Sequence, residues 1–252
     1  MKMKPYIFSA LTCAMAASLS AQALDYWDFA TATDGDGLQD VANTGSLGTA
    51  WNFNTTAQGD VVTSGVFNVS GDETITRKAT LASATALNTL GSSFRYELDV
   101  ASWDLTNADV GTSVAFRVAD SAAQNFAQII LEKDTATTAR FRWSTELSDG
   151  SSFFRQEAVT LTGGPAVYAI EFELGGLVNY LSGATVVNTS TLNFGSSDIA
   201  ESLFVKNNIT TGTADAILSV NSFGLSAVPE PSTYALIGGL LALSYVMTRR
   251  RK

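Results

Sequence analysis

Phe94-Arg95-Tyr96-Glu97-Leu98-Asp99-Val100 sets Phe94, Tyr96, Leu98 and Val100 on one side of an extended chain and Arg95, Glu97 and Asp99 on the other. A period of two with one apolar side is the pattern of a half-buried strand, because successive side chains leave opposite faces of a sheet. The same alternation recurs in Val114–Val118, Ala139–Trp143 and Tyr168–Leu174. Further strands are expected near Val61–Val69, Thr74–Leu81, Gln128–Glu132, Phe153–Leu161, Leu177–Val187 and Ala216–Leu225. Clusters such as Asn107–Gly111, Asp149-Gly150 and Gly163-Gly164 supply turn residues between them. About a dozen antiparallel strands with no soluble helix predict an all-β fold, a β-sandwich or jelly roll.

No linker interrupts residues 24–227, and Pro165 is their only proline, so they read as one domain. The two ends differ in kind. Lys2 and Lys4 precede an apolar stretch from Tyr6 to Ala17, followed by Ala21-Gln22-Ala23. That is the layout of a signal peptide, residues 1–23, with signal peptidase expected to cut after Ala23. Cys13 lies in the apolar region behind Ala10-Leu11-Thr12, which lacks the residues of a lipoprotein cleavage box. At the other end, residues 228–252 carry Pro229-Glu230-Pro231, the apolar run Tyr234–Met247 and the cluster Arg249-Arg250-Arg251-Lys252. An apolar helix with a cationic end stops translocation and leaves the cluster in the cytoplasm. At about 1.5 Å per residue the run 234–247 spans about 21 Å, short of the roughly 30 Å hydrocarbon core. It therefore reads as a single transmembrane helix for transient retention, and the two prolines hold the chain before it extended and open to a protease.

Val-Pro-Glu-Pro-Ser, apolar helix and Arg-Arg-Arg-Lys in that order resemble the PEP-CTERM sorting signal. The resemblance implies an exosortase-like sorting protease as partner, removal of the tail, and delivery to the cell envelope or an exopolysaccharide-rich matrix. The membrane would then hold the precursor only through the C-terminal helix. The opening of the body, Tyr26–Phe29 followed by Asp40–Thr49, resembles laminin-G and concanavalin-like sandwiches of bacterial surface proteins.

Charge and composition exclude several chemistries. The whole chain has 15 Lys and Arg against 24 Asp and Glu, no histidine and one cysteine. Processing after Ala23 and near Pro231 removes six of the basic residues and leaves a body of about −15. Nucleic acid is not expected as a partner, since phosphate binding is built on excess Lys and Arg. Without histidine and with its one cysteine in the leader, the body has no disulfide, no thiolate nucleophile and no histidine-dependent triad.

Three features are candidates for function. Asp34-Gly35-Asp36-Gly37-Leu38-Gln39-Asp40 offers Asp34, Asp36 and Asp40 as oxygen ligands for calcium on a tight loop. Solvated Asp-Gly turns are the competing reading. Glu97-Leu98-Asp99-Val100-Ala101-Ser102 resembles the Glu-x-Asp-x-x-Glu strand of laminarinase-like glucanases, with Ser102 where the acid/base carboxyl belongs. Glu171 and Glu173 form a second same-face pair lacking a third acid, and retaining hydrolysis needs that additional carboxyl nearby. Of Trp27, Trp51, Trp103 and Trp143, only Trp103 continues the Arg95/Glu97/Asp99 side, which makes it the candidate sugar platform. The expected function is that of a non-catalytic, exported surface or matrix protein that binds carbohydrate. A secreted glycan-active enzyme and a purely structural matrix component are the alternatives.

Overall fold

A computed structural model of the chain describes residues 22–45, 50–52, 60–71, 76–86, 93–119, 125–173, 176–191, 198–207 and 213–228. Most of the leader, Pro229-Glu230-Pro231, the stretch 234–247 and Arg249–Lys252 lie outside them. No helix among the described residues is long and apolar enough to cross a membrane.

Sixteen strands and one turn of 3-10 helix at Phe29–Thr31 make up the described chain. In order the first eight strands are β1 (Gln22–Asp28), β2 (Ala50–Asn52), β3 (Val61–Thr63), β4 (Val66–Gly71), β5 (Thr76–Ala86), β6 (Ser93–Asp104), β7 (Ser113–Ala119) and β8 (Phe126–Lys133). They are followed by β9 (Ala139–Glu146), β10 (Ser152–Val159), β11 (Thr162–Gly163), β12 (Ala166–Phe172), β13 (Leu177–Ser182), β14 (Thr185–Thr191), β15 (Asp198–Asn207) and β16 (Thr213–Val228). The strand total exceeds the expected dozen mainly because two long runs are hairpins. Residues 61–69 turn back at Ser64-Gly65, and residues 177–187 turn back at Gly183, giving β3–β4 and β13–β14. β2, β11 and β15 have no counterpart in the sequence expectation, and β11 includes Gly163, expected in a turn.

Every pairing is antiparallel. A nine-stranded sheet runs β14-β13-β12-β6-β16-β4-β3, with β1 added to β16 and β11 to β6, and a seven-stranded sheet runs β10-β9-β8-β7-β15-β5-β2. The all-β sandwich is thus the observed architecture. β1 begins at Gln22, which pairs with Ala227, so the expected cut after Ala23 falls two residues inside the strand.

The core lies between the sheets and is dominated by rings. Trp27 stacks on Phe223 at 5.0 Å, Phe29 on Phe67 at 5.2 Å, and Phe141 on Tyr168 at 3.8 Å, while Trp143 meets Tyr168 edge-on at 5.4 Å. Phe141 and Trp143 come from β9 and Tyr168 from β12, so this last group ties one sheet to the other. The apolar side of residues 94–100, made of Phe94, Tyr96, Leu98 and Val100, is buried as its alternation requires. The opposite side of β6 is what positions the candidate site.

Candidate functional site

Arg95, Glu97 and Asp99 leave β6 on the outer face of the nine-stranded sheet and meet their neighbours there by register. β12 sets Glu171 opposite Arg95, Ala169 opposite Glu97 and Val167 opposite Asp99. On the other side β16 sets Ser226, Gly224 and Ser222 opposite Arg95, Glu97 and Asp99. β1 then sets Tyr26 beside Gly224 and Asp28 beside Ser222. Residues from four distant parts of the chain therefore share one surface.

The polar groups on it are held by side-chain hydrogen bonds. Asn221 Nδ2 donates to Asp99 Oδ1 at 3.0 Å, and Tyr26 Oη lies 2.7 Å from Ser222 Oγ. Arg95 Nε donates to Glu97 Oε2 at 2.7 Å, and Asn179 Nδ2 donates to Glu173 Oε1 at 2.8 Å. Burial raises the Tyr26 phenol above its ordinary value, the bond from Ser222 opposes the rise, and Glu97, Asp28 and Asp99 add to it. Tyr26 is therefore a neutral donor and acceptor at physiological pH.

Beside Asp99 the face opens into a shallow cavity of about 460 Å³ lined by Asp99, Pro165, Ala166, Val167, Ser182 and Gly183. Its lining is apolar apart from the Asp99 carboxylate and Ser182, and Ser182 pairs with Tyr168 and so shares that residue's side of the sheet. Arg95 is the only basic residue in the nine strands of this sheet, and on its outer side it stands against Asp28, Glu97, Asp99, Asp104 and Glu171. The surface is thus rich in hydrogen-bond acceptors and negative in sign, a setting that favours ligands bearing hydroxyl groups over anionic ones.

Glu171 is half-buried on this face, and that burial raises its carboxyl above the ordinary glutamate value, with Arg95 opposing and Glu173 adding. A carboxyl that binds its proton more tightly when folded favours the native state at low pH and withdraws that support as pH rises through the folded value. Glu171→Gln is therefore expected to raise the melting temperature at pH 7 and to leave it nearly unchanged at pH 4. Thermal melts at the two pH values check this, and an equal shift at both would remove the role of the proton.

Trp103 is not the exposed platform that alternation places on this side. It is 8% exposed, its Nε1 donates to the carbonyl of Thr160 at 2.9 Å, and its ring meets Phe141 edge-on at 5.2 Å. The cause is a register shift. Val100 pairs with Val220 and Ser102 with Ser219, which skips Ala101 and turns the following residues over, so Trp103 points inward. β11 then crosses it, and a Cβ on Gly163 would lie 2.3 Å from the indole ring, so only glycine lets the chain pass. Trp27 and Trp143 are buried completely, while Trp51 lies on β2 with its side chain outside the described residues. The same shift turns Ser102 onto the exposed side of β6 with Glu97 and Asp99, where it offers a hydroxyl and no carboxyl.

The acidic loop is not assembled as a calcium site. Asp34 Oδ1 accepts from Ser64 N at 2.6 Å, Asp36 Oδ2 from Thr33 N at 3.0 Å, and Asp40 Oδ2 from Gly37 N at 3.1 Å. Asp36 and Asp40 each close a turn of their own loop, Asp34 ties the loop to the β3–β4 turn, and no group of three potential metal ligands occurs among the described residues. Sequence reasoning missed Tyr26, Asn221 and Ser222, which reach the site only through strand pairing and carry no local signal.

Residues 227–252 match the PEP-CTERM protein-sorting motif, the tail that marks a chain for export and surface sorting through a membrane-held precursor. No curated protein sequence matches the chain. Among solved structures, the binding domain of botulinum neurotoxin serotype G superposes with a TM-score of 0.56 at 9% identity, covering 84% of this chain and 49% of that one. The carbohydrate recognition domain of Emp47p gives 0.54 at 9% identity, covering 81% and 95%. The ligand-binding domain of botulinum neurotoxin serotype D in complex with N-acetylneuraminic acid gives 0.55 at 8% identity, covering 85% and 49%. The chain spans about half the length of the toxin domains it matches, and the likeness is one of fold, a β-sandwich.

Proposed function

We propose, taking the PEP-CTERM tail as the premise, that the chain is a non-catalytic surface or matrix protein whose sandwich binds a neutral, hydroxyl-rich glycan beside Asp99. The carrying observation is the cavity that the Asp99 carboxylate, held by Asn221, lines together with the apolar residues Pro165, Ala166 and Val167. A sugar ring presents both surfaces such a place requires, hydroxyls for the carboxylate and C–H groups for the apolar lining. The negative sign of the sheet favours a neutral exopolysaccharide over an acidic one. Signal peptidase and an exosortase-like protease are the processing partners in this reading, and the apolar helix holds the precursor in the membrane until the tail is removed.

Mass spectrometry of the chain recovered from culture tests the sorting half. An end near Pro231 supports it, and an intact Lys252 on surface protein opposes it. Glycan-array binding and calorimetry test the other half. Asp99→Asn is expected to weaken binding of a neutral glycan about 10- to 100-fold, the loss of a charge-assisted hydrogen bond of about 1.5–3 kcal/mol. EDTA is expected to change nothing. Hydrolysis of the bound glycan by the purified chain would replace this reading with an enzymatic one, and binding that ignores Asp99→Asn would move the site elsewhere.

A further inference from the structure

Edge strands expose unpaired backbone groups, and folded proteins blunt them by shortness, bulges or proline. Three of the sheet edges here follow that rule. β2 and β3 have three residues each, and the β13–β14 ladder is broken by a register shift at Tyr180/Leu181. β10 does not. It is eight residues long, its ladder with β9 runs without a shift from Ser152 to Val159, and it contains no proline.

Its backbone phase follows from the β9–β10 turn. Leu147 N donates to Ser151 O at 2.8 Å, and Glu146 pairs with Ser152. Antiparallel ladders alternate hydrogen-bonded and non-hydrogen-bonded pairs. Residues 153, 155, 157 and 159 therefore bond to β9, and the N–H and C=O groups of Ser152, Phe154, Gln156 and Ala158 face the open edge.

The side chains of this edge are complementary to themselves. An antiparallel two-fold pairing centred on Gln156 sets Arg155 opposite Glu157, Phe154 opposite Ala158 and Phe153 opposite Val159, each twice. The centre falls on a residue whose backbone groups face outward, so the pairing closes with hydrogen bonds. Moving the centre to Arg155 or Glu157 sets like charges against each other. Arg155 and Glu157 are both exposed and form no ion pair among the described residues, and Phe154 is 65% exposed.

We propose that two copies of this chain pair through β10, centred on Gln156, to join their seven-stranded sheets into one continuous sheet. The partner is a second copy because the register that satisfies the backbone also satisfies the charges, as an isologous contact must. The pairing is independent of the glycan cavity, which lies on the other sheet.

Sedimentation equilibrium of the exported chain over a concentration series tests it. The expected result is a monomer–dimer equilibrium. R155E alone and E157R alone each replace two attractive cross-strand pairs with repulsive ones and are expected to weaken the dimer about tenfold or more. The double reversal R155E/E157R is expected to restore it. Q156P removes an N–H that faces only the open edge, where proline is tolerated, so it should abolish the dimer with little change in melting temperature. A wild-type chain that stays monomeric throughout overturns the proposal. So does a dimer indifferent to both single reversals and to Q156P.

Discussion

Gly224→Ala is expected to strip β1 from the sandwich and lower the melting temperature by about 10 °C, a loss of about 3–5 kcal/mol for a domain of this size. Gly224 pairs with Tyr26 on one side and Glu97 on the other, with φ at +154°. A Cβ there would lie 2.3 Å from the carbonyl oxygen of Asp25 and 2.6 Å from the Cα of Tyr26. These obstacles are backbone atoms and cannot rotate aside, so the strands must separate. The conformational strain costs about 1–3 kcal/mol and the forced displacement about as much again. Hydrogen exchange adds a local reading. Amide protection should fall across Asp25–Asp28 first, and the Tyr26–Ser222 contact should go with it, loosening the face around Asp99. A variant within about 1 kcal/mol of the wild type would show that β1 can shift to make room, contrary to this account.

Phe141→Ala carries the second large effect, about 3–5 kcal/mol, from the cavity left by a fully buried ring. Phe141 stacks on Tyr168 at 3.8 Å and receives the edge of Trp103 at 5.2 Å. Together with Trp143 it links β9 in one sheet to the other sheet, and it alone of the two meets both β6 and β12 through the ring contacts described. Phe141→Leu, which retains much of the apolar volume, should lose clearly less. Denaturant melts of the two variants separate the hypotheses, and equal losses would mean that ring geometry matters more than filled space. Because Tyr168 follows Val167 directly on β12, Phe141→Ala should also weaken glycan binding, although Phe141 lies on the opposite side of the sheet from the cavity.

Where alternation was unbroken, the sequence was a sufficient guide. Phe94 to Val100 reads correctly residue by residue because nothing interrupts the pleat there. One skipped residue at Ala101 inverts the reading of Trp103, and no feature of Val100-Ala101-Ser102 announces it, since the bulge is imposed by the register of β16. Residues 61–69 and 177–187 each look like one long strand because their turns are only two residues long. The acidic loop has the composition of a cation site, but Asp36 and Asp40 bond the backbone of their own loop, and Asp34 bonds Ser64 N in a turn 30 residues away, which the loop's spacing does not reveal. The polar partners of Asp99 could not be anticipated at all, since the Asn221–Asp99 bond spans 122 residues. The tail is the opposite case. Its signal is read by other proteins as a linear segment, so it survives intact in the sequence.

The pairing of β1 with β16 has a mechanical consequence. Gln22 lies against Ala227, so the chain enters and leaves the sandwich at the same corner. The segment leading to the tail emerges from β16, a sixteen-residue strand flanked by β1, β6 and β4. A pull transmitted through the tail loads an interior strand along its length, and the ladders with its neighbours must slide together before it yields. A tether fixed to an edge strand such as β10 would open one bond at a time. The fold thus takes up tension at its most cross-linked strand, while the edge that β10 leaves open is unloaded.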